Sequence, residues 1–260
     1  MTQPANSRLL NQSRLVRFLT DLDLVTTQNH PDFSQRLGQL IDFSDSIILS
    51  AAHGELPGAA KIRTERDPEL RGEKAAAVKD VFLRVRGALV QSIVKSTSPN
   101  NATARIKLPV PGESVDPQAL LTFEPYHRFY LLQQRDMELK IQHLRLQMRE
   151  SMADISPGLA QLAVLDRALG DTLAVHIRRF MAVIPTLLEK RFTYFLAKGA
   201  TETKIPDDSL NQNIADRISG EDSLLPFYRE IQGLLLAELD VRMQPLIGLL
   251  EALNQEVETH

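Results

Sequence analysis

Between Ser156 and Lys198, Leu162, Leu169, Leu173, Ile177, Phe180, Ile184, Leu188 and Phe192 follow one another in steps of three, four and seven. That is the period of one helix face, whereas a half-buried strand needs an alternation of two. The same period recurs elsewhere, and no stretch alternates cleanly with β-branched residues. Ile106 to Val110 comes nearest to a strand, but Pro109 and Pro111 bracket Val110 and remove the donors that a ladder needs. The chain therefore reads as all-α: about six main helices, several long and Pro-kinked, in a helical bundle.

Helix punctuation supports this reading. A first helix starts near Asn6 or Ser7, and a second fits Asp32 to His53 behind Pro31. A third is expected from Asp67-Pro68 to about Ser96, because Asp67 is a good N-cap and Pro68 suits the first helical position. Pro117 to Thr122 reads as a short helix, and Tyr126 to about Asp154 as a long one. Ser156-Pro157 opens the next helix, which runs to about Lys198 with a kink at Pro185 and Gly199 as its C′ residue. Ala200 to Asp222 is polar and reads as a loop. The last helix spans Leu224 to about Val257, kinked at Pro245. Residues 98–116 carry three prolines and read as an extended linker. The expected organisation is an N-terminal helical part at 1–97, this linker, and a C-terminal helical hairpin and bundle at 117–260.

Function is mostly excluded rather than selected. The chain has 260 residues, enough to bury roughly 70–75% of its unfolded surface without a disulfide or metal staple. It has no Cys, which removes thiolate metal sites, iron–sulfur clusters and Cys nucleophiles. The N-terminus shows no apolar signal region, and no run approaches the roughly 18–20 apolar residues of a membrane span. A cytoplasmic protein with no transmembrane segment is expected. The six His, at 30, 53, 127, 143, 176 and 260, form no H-E-x-x-H pair. Glu124 and His127 make one Glu-x-x-His pair, but a di-iron bundle needs two. Gly54 to Lys61 lacks phosphate-loop spacing. No catalytic residue, cofactor, metal site or small-molecule substrate is indicated, and the expectation is a protein that is not an enzyme. A site formed only by residues converging in the fold stays open as an alternative.

Two surfaces stand out. Residues 61–107 hold eleven Lys/Arg against five Asp/Glu, and residues 199–260 hold four against twelve. These segments either face each other or steer a partner. Arg63, Arg66, Arg71, Lys74 and Lys79 form the candidate basic patch, and nucleic acid is the alternative partner for it. On the helix after Tyr126, Met137, Ile141, Leu144 and Met148 form one seam. Leu132, Leu139 and Leu146 point well away from that seam at about 100° per residue. A helix apolar on two sides packs between neighbours or keeps one side for a partner. These three leucines are the candidate interface, for a coiled-coil-like contact with a protein partner or a second copy.

The runs Ser13-Arg-Leu-Val-Arg-Phe-Leu-Thr-Asp-Leu and Phe33-Ser-Gln-Arg-Leu-Gly-Gln-Leu-Ile-Asp-Phe-Ser-Asp-Ser-Ile-Ile-Leu-Ser-Ala-Ala resemble the start of an uncharacterised proteobacterial family, a domain of unknown function. Ser156-Pro-Gly-Leu-Ala-Gln-Leu-Ala-Val-Leu-Asp and Ile184-Pro-Thr-Leu-Leu-Glu-Lys-Arg-Phe are similar to its second half. The resemblance brings no catalytic residues. It implies genes beside those for OmpA-like and MotA/TolQ-like membrane proteins, and hence an adaptor or accessory subunit of an ion-driven envelope complex.

Overall fold

A computed structural model describes Leu15 and residues 67–98, 103–110, 119–202 and 221–259. The helices expected at Asn6–Ser7 and at Asp32–His53 lie outside the described residues, except that Leu15 is helical and buried. The described helices are α1 (Pro68–Ser96), α2 (Glu124–Ala153), α3 (Pro157–Met181), α4 (Ile184–Glu202) and α5 (Glu221–Thr259). A 3₁₀ turn at Ala119–Leu121 precedes α2, where a short helix over Pro117–Thr122 is expected from sequence. No strand occurs among the described residues.

Local chemistry sets most of these ends. The Asp67 carboxylate accepts from the Glu69 amide at 3.0 Å, and Pro68 follows it into the first turn. The Ser156 hydroxyl accepts from the Leu159 amide at 3.2 Å, ahead of Pro157. The expected kink at Pro185 is a break instead. α3 stops at Met181 and α4 begins at Ile184. Pro185 has no N–H for the carbonyl of Met181, four residues back, and its ring crowds that oxygen. Gly199 does not end a helix, since α4 continues to Glu202. Both Pro226 and Pro245 sit inside the single helix α5.

α2 and α5 each touch α1, α3 and α4. They run parallel: Tyr126 meets Tyr228, and Tyr130 meets Glu238. α1 runs antiparallel to α5, with Arg86 near Asp240 and Thr97 bonded to Gln232. α3 turns back along α2, and α4 lies antiparallel against α5 through Arg191 and Glu230. Apolar residues from all five helices fill one continuous core, which Leu15 also joins. So does the described part of the linker. Leu108 and Val110 are buried, and the Leu108 amide donates to the Ser96 carbonyl at 2.9 Å.

Polar groups inside this core lock helix pairs together. Glu238 has no exposure. Its carboxylate accepts from the Tyr130 hydroxyl at 2.5 Å, from Gln134 at 3.0 Å and from Arg242 Nε at 2.9 Å. Burial, then the neighbouring Glu238 charge, pushes the Tyr130 hydroxyl well above its usual range. Burial likewise raises Tyr126, beside Tyr228. Between α2 and α3, Arg145 grips both oxygens of Asp166, at 2.7 and 2.5 Å. Its guanidinium lies 3.0 Å from where a Cβ on Gly170 would sit. The amide of Gln133, 1% exposed, has no partner on either atom.

Three outcomes follow for stability. Arg242→Met strands the Glu238 carboxylate and is expected to cost about 3–5 kcal/mol in urea unfolding, whereas Glu238→Leu/Arg242→Met together restores much of that loss. Gln133→Met removes an unsatisfied buried amide at similar volume, so it should leave stability unchanged or raise it by about 1 kcal/mol. Above pH ~10 the unfolded chain releases tyrosine protons that the folded chain keeps. Stability is full below that pH and then falls by about 1.4 kcal/mol per pH unit for each of Tyr126 and Tyr130. Equilibrium unfolding of Tyr126→Phe and Tyr130→Phe should show shallower alkaline slopes than the parent.

Candidate interaction surface

The long helix α2 is apolar on two sides because its sequence carries two sets of apolar residues. Met137, Ile141, Leu144 and Met148 are buried at 6% exposure or less and belong to the common core. Leu132, Leu139 and Leu146 are 46%, 64% and 40% exposed. They form a ridge on the opposite side of the same helix. The heptad spacing keeps the ridge nearly straight, since seven residues drift only about 20° around an α-helix. Leu169, Val175 and Ile177 on α3 are also exposed. Single exposed leucines are ordinary on soluble proteins, but an aligned row of them on one helix is a surface built for contact.

At the Leu146 end of this ridge the charges do not balance. Both oxygens of Asp166 are held by Arg145, and Arg149 comes only to 3.8 Å of one of them. Arg149 Nε is buried and donates to no partner. Burial lowers the Arg149 pKa, and Arg145 and Arg167 repel it, while Asp166 and Asp171 hold it charged. Five charged side chains thus meet here, three cationic and two anionic. The sequence carries a signal of this site: Arg145 and Arg149 are like charges four residues apart on one helix, an arrangement that costs stability on its own.

Of the candidate basic patch, Arg63 and Arg66 lie outside the described residues. Lys79 is exposed on α1 and Arg71 is half-buried near its start. Lys74 helps line a cleft of about 260 Å³ between α1 and α2, with Val78, Val81, Met148, Ser151 and Asp154. Several basic groups meet acidic ones: Arg84 pairs with Asp80, and Arg86 reaches Asp240 on the acidic last helix at 3.4 Å. The other large cation contacts on α5 are also ion pairs, Arg191 with Glu230 and Arg242 with Glu238. The basic and acidic segments therefore face each other in part.

His127 sits 3.9 Å from Glu124 and stacks on Phe123. No group of three or more metal-binding side chains occurs among the described residues. The buried Glu238 network was not read from the sequence, although a lone acid within Leu234-Leu-Leu-Ala-Glu-Leu239 marks it. No described helix is long and apolar enough to cross a membrane.

No curated protein and no solved structure matches this chain. Its family is nevertheless defined, because residues 1–255 match a protein family described as "Protein of unknown function (DUF3348)". The chain belongs to that family.

Proposed function

We propose that this chain is a non-enzymatic helical interaction protein, a cytosolic adaptor or accessory subunit that receives a partner helix on the Leu132–Leu139–Leu146 ridge. The observation that carries the reading is the exposure of these three leucines on a helix whose other apolar seam is already buried. Glu238, a carboxylate with no exposure, supports it too. Three side chains saturate that carboxylate, which leaves it occupied with holding helices rather than with chemistry. A helix laid along the ridge would bury the leucines in a coiled-coil-like contact, each contributing about 1.5–3 kcal/mol if fully covered.

The test is Leu132→Ser/Leu139→Ser/Leu146→Ser. All three side chains are substantially exposed, so the thermal midpoint should move by less than about 4 °C. Solution mass by light scattering, or the set of proteins retained by the immobilised chain, should change. A triple variant that keeps both the parent's mass and its retained proteins removes the proposal. A variant that unfolds shows that the ridge is core, with the same result. Met137→Ala, on the buried seam, is the contrasting control and should cost about 2–5 kcal/mol.

A further inference from the structure

The chemistry of the partner can be read from the charge imbalance beside the ridge, an inference that rests on the proposed function above. Arg145 donates to both oxygens of Asp166 and also to the Asp166 backbone carbonyl at 3.2 Å. Arg149 Nε stands 3.8 Å from one of those oxygens, an ion pair without a hydrogen bond. The charged groups around Arg149 are Asp166, Arg145, Arg167 and Asp171. Counting Arg149 itself, that is three cations against two anions. The Arg149 side chain is 16% exposed, so it is mostly withdrawn from water yet reachable. A cation in that position gains from one more anion, because a charge-assisted hydrogen bond in a partly desolvated site is stronger than one in bulk water. Leu146 lies three residues before Arg149, on the adjoining part of the helix surface. The unbalanced cation is thus part of the same contact area as the leucine ridge.

We propose that the helix seated on Leu132, Leu139 and Leu146 is acidic and amphipathic, and that it sets a carboxylate against Arg149 at the Leu146 end. The leucines supply area without direction. Arg149 supplies polarity and end-to-end register, which a row of identical leucines cannot specify alone. A basic helix would meet Arg145, Arg149 and Arg167 and be repelled.

The probe is a labelled, alanine-based helical peptide of three heptads with one leucine stripe, flanked by glutamate. Two further versions carry glutamine or lysine at the flanking positions. Fluorescence anisotropy against the full chain should give a Kd about 10-fold lower for the glutamate peptide than for the glutamine peptide, with the lysine peptide weakest. Raising the salt should shrink the difference, as exposed charges are screened. Arg149→Met should erase the preference while keeping the glutamine peptide's affinity, and Arg149→Glu should reverse it. Leu139→Ser should weaken all three peptides. Equal affinities for the three peptides would overturn the charge assignment and leave the ridge proposal standing. Binding of none of them would overturn both. Tighter Arg149-dependent binding of a short DNA duplex than of the glutamate peptide would also overturn the assignment. Circular dichroism of each variant, matched to the parent, separates a binding effect from a folding one.

Discussion

The carboxylate of Glu238 sits in the middle of the longest described helix with no access to water. Withdrawing such an ion costs several kcal/mol unless nearly all of its lone pairs are met. Here Tyr130 and Gln134 on α2 and Arg242 on α5 meet them. The two helices can satisfy that requirement at only one register, because a slip by one turn moves partners about 5.4 Å apart. Leucine packing alone is far more tolerant of such slips. α1, α3 and α4 all pack on this α2–α5 pair, so the placement of the outer helices follows from one buried acid.

The clamp between α2 and α3 works on a different principle. A Cβ at Gly170 would stand 3.0 Å from the Arg145 guanidinium that grips Asp166, so that guanidinium would have to give by a few tenths of an ångström. Gly170 lies in the middle of a helix, where glycine costs about 1 kcal/mol against alanine. The bare Cα leaves room for the side chain of the neighbouring helix. The grip has a side effect, since the carboxylate that is bonded closely by one arginine is held 3.8 Å from the other. Rigidity of the hairpin and an unbalanced charge at its surface thus arise from the same contact.

Elements whose ends are fixed by local chemistry were legible from sequence. The Asp67-Pro68 start, the Ser156-Pro157 start and the end at Ser96 all appear where the residues place them. The two sides of α2 were legible as well, because the helical period alone separates Leu132, Leu139 and Leu146 from Met137, Ile141, Leu144 and Met148. What was not legible depended on contacts between elements. Leu108 and Val110 look like linker residues until α1 ends beside them. Gly199 looks like a helix stop, but the pattern of the following residues does not show that α4 runs on to Glu202. The Arg145–Asp166–Arg149 arrangement joins residues on two helices, and only the turn at Ile155 brings them together.

One missing amide hydrogen divides the apolar period that runs from Leu162 to Phe192. Before Pro185, Leu169 and Ile177 of that stripe are exposed; after it, Ile184, Leu188 and Phe192 are buried, and Phe192 and Phe195 join Tyr126 and Phe227 in a cluster of tilted and edge-on rings. An uninterrupted helix would keep pointing its stripe along one line. The break lets the second half of a single sequence period turn into the core although members of the first half face solvent. The hairpin side of the bundle is consequently held by a bidentate ion pair and the far end by tilted and edge-on aromatics. The molecule has two poles of different chemistry, one sensitive to salt and the other to loss of ring area, and each can be weakened without touching the other.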